Sequence, residues 1–206
     1  MAQKNINCPC DNSFPAEIEE EIDLDANEHI LENIFNGTFM SYECPVCMKM
    51  LKPEFKIKLA WKSKNYHLEA LPELERGAFY MNKKENQTAY ETVIGFQEMA
   101  DRLALIKDDI EPVVIETIKS YLLAKAEENY SDKDINIWYH CKTDEGIEFH
   151  VDGIRQDEVA VMRIPKDMYD KTLEDYRKNP KKNHFTSLRV RSYMSVQNLL
   201  RPDALK

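Results

Sequence analysis

Four thiols in two close pairs, Cys8-Pro9-Cys10 and Cys44-Pro45-Val46-Cys47, are the residues whose type and spacing could do chemistry. Zinc held by four thiolates needs each sulfur about 2.3 Å from the ion, which sets the sulfurs roughly 3.8 Å apart at the corners of a tetrahedron. Cys44 and Cys47, spaced as C-x-x-C around a proline, suit a knuckle turn that meets this demand. Cys8 and Cys10 are tighter. In an extended chain their α carbons stand about 6.6 Å apart on one face, so rotamers must bring the sulfurs inward, and fewer backbone amides surround them than in a C-x-x-C turn. Met48 stands where a small residue often follows the second cysteine of a knuckle. The reading is a zinc site, Zn2+ on Cys8, Cys10, Cys44 and Cys47. Four thiolates fill the coordination sphere and leave no place for an activated water, so the zinc is expected to be structural. An iron–sulfur cluster also takes four thiolates, but the C-x-C pair and the lack of further cysteines nearby argue against one.

The elements that must position these pairs can be read from periodicity. Phe14, Ala16, Ile18, Ile22 and Leu24 recur at every second residue or its multiple and predict one strand with an acidic outer face. Asp25 is placed to cap a short helix carrying Ile30, Leu31, Ile34 and Phe35, which Gly37 ends. Residues 38–42 and 54–61 read as extended. Further short extended pieces are expected at 66–71, 77–81 and 91–94, separated by polar turns. Phe96, Met99, Leu103 and Ile106 mark one amphipathic helix, and Ile110, Val114, Ile118, Tyr121 and Leu122 a second, capped by Asp108 or Asp109 with Pro112 in its first turn. The two are expected to pack as a helical hairpin. Residues 134–152 predict a β-hairpin with a loop of Asp144, Glu145 and Gly146, Gly146 being left-handed, which pairs Thr143 with Ile147 and Cys141 with Phe149. A strand at 159–164, a helix at 167–177 and an apolar tail of Val196, Leu199 and Leu200 docking on the core follow. The fold class is therefore α+β: zinc-ribbon-like knuckles around a strand-helix-strand unit, a helical hairpin, and a C-terminal antiparallel β-hairpin with a third strand and a helix. Two regions are expected, 1–126 around the metal and 127–206 as an α+β segment, either separate or packed with the first as one domain.

The 206 residues are 43% apolar, enough for a real core. With 37 acidic against 28 basic side chains the net charge is −9, which argues against nucleic acid as a partner. No run approaches the roughly 20 apolar residues of a membrane span, and the reading is a cytoplasmic protein whose five cysteines stay reduced. Cys141, the odd thiol, is expected in the core. His140 and His150 should face each other across the hairpin on a solvated face. Arg177, Lys178, Lys181, Lys182, Arg189 and Arg191 form a basic concentration, and Glu17 to Asp25 an acidic one, both without a supporting motif. No G-x-S-x-G, Walker, H-E-x-x-H or dinucleotide pattern is present, so no catalytic residue is named and no enzyme is expected.

The paired Cys-Pro motifs, the acidic strand and short helix ending in Asn36-Gly37, and the stretch Ile94-Gly95-Phe96-Gln97-Glu98 running into Arg102-Leu103-Ala104-Leu105 and Val113-Val114-Ile115-Glu116 resemble the CpXC family over residues 6–125. The family is named for two Cys-Pro-x-Cys motifs in bacterial and archaeal proteins and has no assigned activity. This chain keeps the second motif and shortens the first by one residue. The resemblance implies a domain type and a metal site, and no reaction. Three roles are open: a zinc-stapled module that binds another protein, a thiol redox switch, or, disfavoured by the charge, a nucleic-acid-binding zinc ribbon. The second rests on the C-x-C, 33-residue, C-x-x-C spacing, which is similar to the zinc centre of redox-regulated holdase chaperones.

Overall fold

The protein is described from a computed structural model that covers residues 2–82, 89–156 and 158–200. The chain folds as two compact units, one built from residues up to 100 and the other from residue 101 onward. Helices and strands mix throughout, so the class is α+β as expected.

In the first unit, β1 (Ala2–Asn7) and β2 (Ser13–Ile18) form an antiparallel hairpin with Ile6 opposite Phe14. Alternation buries Ile6, Ala16 and Ile18 on one face, where Phe14, Met40, Tyr42, Leu51 and Phe55 pack against them. The single strand expected over 14–24 breaks at Glu19 and Glu20. Its second half becomes β3 (Glu21–Asp23), because Ile18 belongs to this small core while Ile22 pairs with Leu59 in a different sheet. Helix α1 (Glu28–Phe35) buries Ile30 and Ile34, four apart on one face, and closes through Asn36 into the left-handed Gly37. Its N-cap is Asn27 rather than Asp25. The Asp25 carboxylate instead accepts a hydrogen bond from the Ser63 amide at 3.2 Å.

β4 (Tyr42–Glu43) and β5 (Met50–Leu51) form a second short hairpin. β6 (Ile57–Trp61) and β7 (Tyr66–Leu71) pair antiparallel, and with β3 on one side and β8 (Glu91–Ile94) on the other they run in the order β8-β7-β6-β3. The expected strand over 77–81 is instead a helix, α2 (Arg76–Met81). Arg76 is the reason: its buried guanidinium takes Glu73 at 2.5 and 2.6 Å, Glu98 at 3.0 Å and the Ile94 carbonyl at 2.9 Å, which ties down a helical turn. The polar turn expected over 83–88 lies outside the described residues.

Helix α3 (Phe96–Lys107) follows the left-handed Gly95, and α4 (Pro112–Asn129) starts at Pro112, with Glu111 rather than an aspartate as its N-cap. In the second unit β9 (Asn136–Lys142), β10 (Gly146–Arg155) and β11 (Glu158–Pro165) make an antiparallel meander that buries Ile137, Tyr139, Ile147, Phe149 and Val151 with α4 in one core. The expected register is wrong by one at the turn. Ile147 pairs with Lys142 and Glu148 with Cys141. A bulge then skips His140, so that Phe149 faces Tyr139. Gly146 serves close approach, not a left-handed turn: a Cβ there would meet the Ile164 carbonyl oxygen at 1.9 Å. The bulge restores the apolar faces that the turn displaced, and Cys141 pays the difference by leaving the core side. Helix α5 (Lys166–Lys178) carries Tyr169 into the core, and the tail forms α6 (Asn183–Thr186), β12 (Arg189–Val190), β13 (Tyr193–Met194) and α7 (Gln197–Leu200). Val196 is buried, but Leu199 and Leu200 are 37% and 42% exposed and do not dock as expected.

Candidate metal centre

The two cysteine pairs sit at the turns of the β1-β2 and β4-β5 hairpins, above the small core of Ile6, Ala16 and Ile18. Each turn closes through a left-handed residue just after its second cysteine. Asp11 has φ 63° and its amide donates to the Cys8 carbonyl at 3.0 Å, while Met48 has φ 59° and its amide donates to the Cys44 carbonyl at 2.9 Å. The residue missing from the first motif therefore shortens the closing bond by one position without opening the turn. Asp tolerates the left-handed region because its side chain is short and polar; Met48 does so at a strain of roughly 1–2 kcal/mol.

Cys8 and Cys44 are buried, and Cys10 and Cys47 are exposed. Across the two turns the Cys8 and Cys47 sulfurs stand 3.5 Å apart and the Cys10 and Cys44 sulfurs 3.6 Å, with all four within 4.8 Å of one another. Those separations bracket the roughly 3.8 Å edge of a zinc tetrahedron. The Asn12 side-chain amide donates to the Cys44 sulfur at 3.8 Å, a contact between the turns that spacing alone does not reveal.

Electrostatics set Cys8 and Cys44 apart. Backbone amides of Cys47 and Val46, with hydrogen bonds from Cys8 and Cys10, outweigh burial and bring the Cys44 thiol down to about 6. At Cys8 the amide of Cys10 pulls down, but burial and the hydrogen bonds to Cys10, Cys47 and Cys44 win and push the thiol up to about 12. The C-x-x-C turn thus aims two amides at its first sulfur and the C-x-C turn aims one, the difference expected from the shortened spacing. A divalent cation held by the four sulfurs would offset the charge of their thiolates.

Cys141 does not join them. It lies on β9, partly exposed, with its sulfur 3.8 Å from Glu148 Oε2. The expectation of a core thiol is corrected by the bulge. His140 and His150 do meet across the hairpin, stacked with ring centroids 3.9 Å apart. Two members of the basic concentration are ion-paired, Lys178 with Glu174 at 2.6 Å and Lys182 with Asp175 at 2.5 Å. Among the described residues no helix is long and apolar enough to cross a membrane.

Fold and site together define a mixed α+β protein with a cysteine cluster able to bind a metal ion. The chain belongs to the CpXC protein family, whose model matches residues 6–119. It is also similar to an uncharacterized protein of Treponema pallidum (strain Nichols), 31% identical over 217 residues that cover 94% of this chain and 97% of that relative. No solved structure matches it significantly.

Proposed function

We propose that Cys8, Cys10, Cys44 and Cys47 hold one structural zinc ion, and that the metal fixes the two turns so that their surface can bind another protein. The observation that carries this reading is the mutual approach of four sulfurs within 4.8 Å on two separate turns. A filled four-thiolate sphere leaves no open position, which supports a binding role over catalysis. Free thiols suit a reducing cytoplasm. Metal analysis of the purified protein is expected to find zinc, with one ion fewer in Cys10→Ser; equal metal content in both would overturn the assignment.

The docking face is the tip of the second turn, where Val46, Met48 and Met50 are 67%, 64% and 53% exposed. A cluster of exposed apolar side chains on a metal-braced turn fits an apolar protein partner. Met48→Asp should keep the zinc and abolish partner capture by the immobilised protein. Identical capture by wild type and Met48→Asp would remove the tip from consideration.

A redox switch is the second reading, favoured by the pairing of each sulfur with one from the other turn. Peptide mapping of the same preparation after mild peroxide should then show Cys8–Cys47 and Cys10–Cys44 disulfides with the metal released. Retained zinc and free thiols exclude it.

A further inference from the structure

The outer face of the β9-β10-β11 meander carries a second group of soft and hard donors, remote in sequence from the four cysteines. A ring nitrogen of His140, the sulfur of Cys141 and a carboxylate oxygen of Glu148 all lie within 4.8 Å of one another. Neighbours on a regular strand point to opposite faces. His140 and Cys141 share one face only because the bulge leaves His140 without a partner between Tyr139 and Cys141. Such bulges re-aim side chains at the cost of a ladder hydrogen bond, and here the effect is to take a thiol out of an apolar core and set it against a carboxylate.

The neighbours of the group are arranged for orientation. Glu148 Oε1 accepts a hydrogen bond from Arg163 Nε at 2.8 Å and Oε2 faces the Cys141 thiol, so the guanidinium holds the carboxylate in place with its second oxygen toward the sulfur. Arg163 also pairs with Glu145, which offsets part of its own charge. His150 stacks on His140 with the rings 20° from parallel, which limits the swing of the exposed His140 ring. Outer-shell contacts of this kind steer metal ligands.

We infer that His140, Cys141 and Glu148 form a second metal site, for a borderline divalent transition ion such as zinc or cobalt. Nitrogen, sulfur and carboxylate oxygen at 2.0–2.3 Å from such an ion stand roughly 3.3–3.8 Å apart, so closure from the present spacing requires about an ångström of movement, mostly at exposed His140. Three protein ligands leave a fourth position for water or an external ligand. This distinguishes the site from the four-cysteine centre, and it should fill after that centre and release its ion more readily.

The test is zinc titration of the full-length protein, with desalting and metal analysis at each step. Wild type should take up one equivalent beyond its as-purified content. His140→Ala and Glu148→Gln should each weaken that uptake by at least about tenfold while leaving the as-purified zinc unchanged. Cobalt should give a sulfur-to-cobalt absorption that persists in Cys10→Ser and is diminished in Cys141→Ser. The comparison between wild type and His140→Ala reads this site whether or not the four cysteines bind metal. His140 is exposed, so its removal takes no packing from the core. Equal uptake and equal affinity in wild type, His140→Ala and Glu148→Gln would overturn the inference.

Discussion

Lys119→Met is expected to lower the unfolding free energy by about 3–5 kcal/mol, because it removes the cation shared by two carboxylates buried in the interior of the second unit. Lys119 Nζ lies 2.6 Å from Asp101 Oδ2 and 3.0 Å from Glu116 Oε1, with all three side chains at most 4% exposed. The remaining oxygens are committed: Asp101 Oδ1 accepts the Tyr139 amide at 2.5 Å and Glu116 Oε2 accepts the Val196 amide at 2.7 Å. Arg102 adds a second cation 3.9 Å from Glu116 and donates to the Met194 carbonyl at 2.8 Å. Two acids and two bases thus balance while joining α3, α4, β9 and the tail.

Burial is the largest influence on each of the three groups around Lys119. At Lys119 it pulls down, but Asp101 and Glu116 outweigh it and hold the ammonium up; at Glu116 it pushes up, and Lys119 with Arg102 outweighs it. At Asp101 burial prevails against Lys119 and raises the carboxyl. Losing Lys119 therefore takes from Asp101 its paired cation and leaves Glu116 with Arg102 at 3.9 Å. Asp101→Asn is milder, on the order of 1–3 kcal/mol, since its amide oxygen still accepts from Tyr139 and Lys119 keeps Glu116. Denaturant titration of the two variants decides the point: a loss below about 1 kcal/mol for Lys119→Met would show that water or movement compensates the buried charges.

What could be read in advance follows the range of each signal. Strands 66–71 and 91–94 and the two helices after Phe96 were legible because their periodicity is local. The four sulfurs were legible because C-x-C and C-x-x-C turns constrain their own geometry. The Lys119 quartet was not: Glu116 and Lys119, three apart on an otherwise apolar helix face, are its only sequence trace, and their partners come from elements distant in the chain. Cys141 was misplaced for a related reason. Strict alternation has no way to encode a skipped residue such as the bulged His140. Arg76 likewise makes a helix where its own neighbourhood suggested extension, through Ile94 and Glu98, 18 and 22 residues further along the chain.

If the four cysteines hold zinc as proposed, stripping the ion is expected to have a large effect on the first unit. Among the described residues, the buried cluster beneath the cysteine turns is Ile6, Ala16 and Ile18 with partly buried neighbours, a small core for two hairpins. Structural zinc in small knuckle peptides contributes apparent binding free energies of about 10–16 kcal/mol at neutral pH, so the turns should depend on the ion for their shape. For a chain of this size each kcal/mol is worth roughly 2–4 °C in Tm. Loss of even about 4 kcal/mol of that coupling would lower the Tm by roughly 8–16 °C. Dialysis against a strong chelator should therefore give an early transition, accompanied by loss of protection at the amides of Val46, Cys47 and Met48, and added zinc should reverse it. Cys10→Ser should reproduce the chelated melt. Cys10 is exposed, so serine there forfeits a ligand but little packing, whereas Cys44→Ser would also disturb a buried sulfur that accepts from Asn12. Coincident melts for the native, chelated and Cys10→Ser proteins would mean that the hairpins stand on their own side chains, and the four thiols would then need another explanation for being held within 4.8 Å.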